Sequence, residues 1–266
     1  MTKIRAAGVH LLLSAIVVSV IFAIIFFVWY PAPTFQIAGA LEIVFILIGV
    51  DLVLGPLLTL IVYKQGKKSL KFDLSVIALI QLSALIYGSY TLYLERPYYM
   101  VFAVDRFNIV SEQDIDKSSI RFDELQKKPV GDVIRVFARL PEGQAFQAFL
   151  DSVIVNGEPD LERRPEFWEP YENGKSQIAA KIRSLDELNI ETPVDAARVQ
   201  RVRQRHQDRY PKLGFVPVGS RKQDIGMVMD VETIEPIDVV KVNPWKNENS
   251  DESDAVGGKQ DMGATE

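Results

Sequence analysis

The sequence predicts a membrane α-helical unit of three transmembrane helices, followed by a C-terminal periplasmic α+β domain with a mainly antiparallel sheet. Three observations predict it. Residues 1–95 are mostly apolar and carry 6 Lys+Arg against 4 Asp+Glu, whereas residues 96–266 carry 24 against 31. The apolar part falls into three runs, each reaching the roughly 20 residues that a helix needs to cross a hydrocarbon core. Beyond Arg96, short β-branched and aromatic runs alternate with segments of helical spacing. The expected units are a transmembrane domain over 1–95, an α+β domain over 96–245 and a disordered polar tail over 246–266.

The spans are expected at about 6–30, 36–63 and 70–94. The first holds one ionisable residue, His10. It is too long for a signal-peptide core and lacks a small-residue cleavage site at Trp29-Tyr30-Pro31. Tyr30, Tyr63 and Tyr93 stand where interfacial aromatics usually sit. Lys3 and Arg5 precede the first span, and Lys64, Lys67, Lys68 and Lys71 fill the second connection, whereas residues 31–35 carry no charge. The positive-inside rule then places the N-terminus in the cytoplasm and the chain from Arg96 onward across the membrane, in the periplasm of a bacterial inner membrane.

Ionisable groups within spans are costly in lipid and mark contacts or function. Glu42, Asp51, Asp73 and Gln81 lie in or near the second and third spans. At about 1.5 Å rise per residue, Asp51 and Gln81 stand at comparable depth, and Ser19 of the first span offers a third member of a mid-membrane cluster. Glu42 and Asp51 are nine positions apart, on opposite faces, so a shared-proton dyad is not expected. Three readings stay open: Asp51 and Gln81 as a lock within the bundle, Asp51 or Glu42 as the receiver of a polar group from another protein's helix, or a part in ion or proton transfer or intramembrane catalysis. Pro56, beside Gly49 and Gly55, predicts a bend or notch suited to a neighbouring helix. Asp73 is expected to pair with the Lys-rich loop, and His10 to pack near the cytoplasmic end.

In the soluble part, strands are expected at Tyr98–Val104, Asp132–Ala138, Leu213–Val218, Ile225–Asp230 and Ile237–Val242, the last three as an antiparallel meander with a turn at Gly219-Ser220. Phe146, Phe149, Leu150 and Val153 predict one helix, and Ile178, Ile182, Leu185 and Leu188 a second. Thr192-Pro193 with Asp195 caps a third. Arg198, Arg201, Arg203, Arg205 and Arg209 on that helix are expected in intradomain ion pairs or solvent, and solitary His206 in a structural role. Asp105, Arg106, Trp168 and Tyr171 are candidates for a recognition surface.

The acidic balance of the soluble part argues against nucleic acid as a partner, because phosphate binding requires surplus Lys and Arg. Cysteine is absent, which excludes disulfides and thiolate chemistry. No phosphate loop, zinc-protease helix, nucleophile elbow or kinase pattern occurs, so neither enzymatic activity nor a cofactor or metal is expected.

Ala7-Gly8-Val9-His10-Leu11-Leu12, Val28-Trp29-Tyr30-Pro31, Gly49-Val50-Asp51 through Gly55-Pro56-Leu57-Leu58-Thr59-Leu60 and Lys71-Phe72-Asp73-Leu74 resemble the type IV pilin accessory family, the TfpX/TfpZ type. Val101 to Phe107 and Asn243-Pro244-Trp245 fit the same resemblance. It implies a helper of the major pilin before or during assembly, with inner-membrane lipids as its surroundings and no catalytic residues. On that reading Glu42, Asp51, Pro56 and Gln81 are candidates for contact with the pilin helix. A periplasmic ligand sensor and a subunit of a transporter or ion pathway are the rival classes. The first lacks a cytoplasmic output domain, and the second would need oligomerisation.

Overall fold

The computed structural model describes residues 2–219 and 224–245. The expected tail over 246–266 and Ser220 of the expected turn therefore lie outside the described residues.

Three helices are long and apolar enough to cross a membrane: α1, Lys3–Trp29; α2, Leu41–Val62; and α3, Leu70–Leu94. The connection between α1 and α2 includes one helical turn, Thr34–Ile37, which begins the second run later than its apolar composition suggested. Within α2, Gly49–Leu54 is π-helical, closed by the Gly55 N–H donating to Val50 O. Pro56 accounts for this. It removes a donor, and its ring crowds the carbonyl four residues back, so the backbone widens one turn earlier instead of running straight. The α2–α3 contact depends on small residues: a Cβ at Gly88 would come 2.6 Å from Leu47 Cδ2. Asp73 pairs with Lys67 of the connecting loop at 2.7 Å, as its position predicted.

The soluble part contains β1, Pro97–Ala103; β2, Arg106–Ser111; β3, Ile134–Ala138; α4, Gln144–Ile154; β4, Trp168–Pro170; α5, Tyr171–Ala179; β5, Arg183–Ser184; α6, Pro193–His206; β6, Leu213–Val218; β7, Ile225–Asp230; and β8, Glu235–Val240. The strands form one sheet in the order β4-β3-β1-β2-β6-β7-β8, with β5 also against β6. The sheet is mixed, which corrects the expectation of a mainly antiparallel one. β6, β7 and β8 form the expected antiparallel meander, but β1 runs parallel to β3 and β2 parallel to β6. The hairpin to β2 occupies one edge of β1, and the long connection after Ser111 returns the chain to the other edge in the same direction. A crossover of that length permits a parallel neighbour.

β1 buries both faces, as its unbroken apolar run predicted. Met100 and Phe102 meet Phe107, Val216 and Met227 on one side, while Tyr99 and Val101 meet Val136, Phe149 and Trp168 on the other. The expected helix over Ile178–Leu188 is corrected: α5 ends at Ala179, and β5 with a 3-10 turn, Leu185–Glu187, follows. Tertiary pairing of Arg183 and Ser184 with β6 outweighed the helical spacing. α6 begins with the anticipated capping box of Thr192 and Asp195. Its arginines pair within the domain, Arg198 with Asp195, Arg203 with Asp186 and Arg205 with Asp238.

The two parts share a core. Ile37, from the turn between α1 and α2, is buried among Met100, Phe102, Phe107 and Val218. Tyr30, at the end of α1, donates its hydroxyl to Leu92 O of α3 at 2.9 Å.

Candidate functional site

Between α1, α2 and α3 lies a cleft of about 430 Å³, lined by His10, Val17, Asp51, Thr59, Gln81 and Leu82 among others. Its walls are apolar and its floor polar. Gln81 Nε2 donates to Asp51 Oδ1 at 3.3 Å and to Val50 O at 3.4 Å. His10 Nδ1 and Thr59 Oγ1 share a hydrogen bond of 2.6 Å. The π-helical turn carries Asp51 inward, where it is 4% exposed, and Gln81 facing it is 7% exposed. Asp51 Oδ2 and Gln81 Oε1 have no hydrogen-bond partner among the described residues. Two buried acceptors left unpaired in an apolar setting each cost on the order of 1–3 kcal/mol, and a donor brought into the cleft would recover part of that. The floor offers hydrogen-bonding groups to a visiting group.

Asp51 and Gln81 thus meet at mid-helix depth. Pro56 and Glu42 do not line the cleft. Pro56 acts through the backbone of α2, and Glu42 is exposed near the start of that helix. The space beside Gly55 is no open notch, since the Gln81 amide occupies it. Ser19 faces another groove, with Phe22, Phe26 and Phe35. The polar member from α1 is instead His10, whose place opposite Thr59 depends on the approach of α1 to the last turns of α2. Spacing within one helix carried no sign of that approach.

In the soluble part the four candidate surface residues separate. Trp168 is 0% exposed and packs against Tyr99, with ring centroids 4.7 Å apart, so it belongs to the core and presents no recognition surface. Tyr171 is also buried. Its hydroxyl donates to Ile234 O at 2.5 Å, and burial holds its pKa well above the ordinary phenol value, so it remains a donor. Asp105 and Arg106 stay accessible at the β1–β2 turn, joined at 3.0 Å. Arg106 also reaches Asp224 at 3.2 Å and stacks 4.6 Å from the Trp245 ring centroid. Trp245 Nε1 donates to the same Asp224 at 2.9 Å, and Arg183 donates to Pro244 O at 2.9 Å. The Asn243-Pro244-Trp245 segment is therefore clamped by two arginines.

Val104, next to this cluster, was not singled out by the sequence. It has φ 61° and is 56% exposed, although β-branched residues avoid that region. The Asp105 N–H donates to Ala103 O at 2.7 Å, closing a tight γ-turn that aims Val104 outward. His206 Nε2–H donates to Asp238 Oδ2 over 2.8 Å, a structural contact.

Comparison with known proteins points in one direction. The family model for the fimbrial assembly protein FimB matches residues 1–39. The chain is 32% identical over 261 residues to a fimbrial assembly protein of serogroup E1 from Dichelobacter nodosus, covering 90% of this chain and 96% of the relative. A serogroup I protein from the same organism is 34% identical over 194 residues, covering 68% of this chain and 72% of the relative. A third, of serogroups C1 and C2, is 44% identical over 113 residues, covering 42% of this chain and 86% of its own length. No solved structure matches significantly.

Proposed function

Because the chain belongs to the fimbrial assembly protein family, we propose that it is an inner-membrane accessory protein that assists a type IV pilin before or during assembly, contacting the pilin in the membrane and in the periplasm. A pilin subunit awaiting assembly holds one apolar helix in the bilayer and a head outside it. The reading therefore requires a surface for each.

The observation that carries the proposal is the cleft with Asp51 and Gln81 on its floor. An apolar helix laid between α1 and α3 would meet apolar walls, and a donor on that helix at mid-membrane depth would reach Asp51 Oδ2 and Gln81 Oε1, both sealed by their neighbours, only by shifting the side chains that cover them. Interhelical hydrogen bonds of this kind contribute about 0.6–2 kcal/mol. That is enough to favour one register without making release slow. The loop charges support the orientation: Lys3, Arg5, Lys64, Lys67, Lys68 and Lys71 all lie at the same end of the bundle, which the positive-inside rule assigns to the cytoplasm. The Val104-Asp105-Arg106 turn would then stand in the periplasm as the accessible contact for the head.

Photo-crosslinking from the full-length protein in its own membrane tests this. Probes at Val17 and Leu82 in the cleft and at Asp105 on the turn are expected to capture pilin, whereas a probe at Ile86, outside the cleft wall, captures little. Equal pilin yield from Leu82 and Ile86 in folded protein would remove the cleft from the proposal.

A further inference from the structure

At the junction of the helices and the sheet, basic side chains gather around one ring. Arg96 Cζ, Lys117 Nζ and Lys128 Nζ stand 5.6, 4.9 and 5.8 Å from the Tyr98 ring centroid. Arg96 also covers Tyr93 at 3.8 Å, and Tyr93 meets Trp29 edge-on at 5.3 Å. Trp29 and Tyr93 sit at the ends of α1 and α3, so this group lies at the height of an interfacial aromatic belt.

The positive charge is only partly balanced. Glu112 bridges Arg96 at 2.7 Å and Lys117 at 2.6 Å. Lys128 Nζ donates to Pro97 O at 2.7 Å and has no carboxylate within ion-pair distance among the described residues. Lys127 beside it is exposed. Asp132, the other nearby carboxylate, bonds its neighbouring Val133 N–H at 2.7 Å and lies 3.9 Å from Arg135. Burial and the Arg96 charge push the Lys128 ammonium down to about 8, the signature of a cation short of counter-charge.

The loop holding these lysines touches the membrane unit. A Cβ at Gly131 would come 3.1 Å from Phe27 O, in the last turns of α1. Phe27 is 77% exposed, so at this height the helix surface faces lipid. One residue earlier, Val130 is 88% exposed. An apolar tip preceded by two lysines and followed by Asp132, in a loop resting against the end of α1, matches the chemistry of the water–lipid boundary.

We propose that Lys127, Lys128 and Lys117 form a binding site for the phosphate of an anionic phospholipid headgroup, with Arg96, itself held by Tyr93 O and Glu112, adding positive charge beside the Tyr98 ring and Val130 entering the adjoining acyl region. The inference rests on the three apolar helices crossing a bilayer and is independent of any pilin. Its consequence is mechanical: a lipid held there reinforces the shared core at Ile37 in holding the sheet domain over the bundle.

Native mass spectrometry of the detergent-purified full-length protein, given equimolar phosphatidylglycerol and phosphatidylcholine, tests it. The wild type should retain phosphatidylglycerol several-fold over phosphatidylcholine. Lys127→Glu, at an exposed position, removes a cation and adds an anion and should lower that retention by more than about five-fold, the effect of losing the cation alone near a charged surface. Val130→Asp should weaken retention of both lipids. Equal retention of the two lipids by the wild type would overturn the proposal, as would unchanged selectivity in Lys127→Glu with an unaltered unfolding midpoint. Displacement of phosphatidylglycerol by millimolar inorganic phosphate would assign the site to soluble phospho-anions and overturn the lipid reading.

Discussion

The side-chain amide of Gln81 fills the space that any Cβ at Gly55 would need, and from there it reaches Asp51 Oδ1 at 3.3 Å. The register of α2 against α3 thus depends on position 55 bearing only hydrogen. Gly55→Ala should displace the amide and cost about 1–3 kcal/mol by overpacking. It would appear as a lower thermal midpoint of the full-length protein in detergent. Adding Gln81→Ala should recover part of the loss, and a double-mutant cycle without coupling would refute the contact.

Asp51→Asn keeps the shape of the floor while replacing an acceptor with a donor. The melting temperature should change little, whereas pilin capture from a Leu82 probe should fall several-fold. Unchanged capture would mean that Asp51 only locks the bundle.

Val104 stores backbone strain on the surface. A β-branched residue at φ 61° costs about 1–3 kcal/mol, and its exposed side chain contributes little packing. Val104→Gly should therefore raise stability, by up to about 2 kcal/mol after the entropy cost of glycine. Thermal or denaturant unfolding reads the change. If the turn meets pilin, the same variant should also lower capture from position 105.

Trp168 and Asp105 should respond in opposite ways. Trp168→Ala opens a cavity between Tyr99 and Phe149 and should cost about 3–5 kcal/mol, detected as increased proteolysis of the sheet domain. Asp105→Ala, at the accessible turn, should leave proteolysis unaltered.

Lys128 gives a pH dependence. Its folded pKa is held near 8, below the ordinary 10.5, by burial first and then by Arg96, against smaller opposing effects of Asp132 and Glu112. The Tyr98 ring also adjoins it, and Lys117 stands at the same ring. Between pH 8 and 10.5 the unfolded chain binds more protons than the folded one, so this residue makes stability rise with pH across that window. Below pH 8 its penalty is fully present. Lys128→Met should raise the midpoint at pH 7, and the difference from wild type should shrink as pH approaches 10.5. A constant difference would refute the shift.

Much of this was legible in one dimension. Helix α3 lies at the residues where its apolar run predicted it, because a span is set by length and polarity alone. The Thr192 cap and the β6–β8 meander were readable for a similar reason: their signals are local. Trp168 was misplaced on a surface because an aromatic-rich segment looks the same in sequence whether it faces solvent or a sheet.

The sequence by itself determined that three apolar helices precede an α+β domain, that Asp51 and Gln81 stand at matching depth, and that the basic loops share one end of the bundle. Those properties follow from period, length and charge. Tertiary structure alone decided that the sheet is mixed, that Ile37 joins the core of the soluble part, that His10 rather than Ser19 completes the polar floor, and that Gly131 lies against the last turns of α1. Each of these is a contact between residues remote in the chain, and the sequence pattern within one element carries no record of its neighbour.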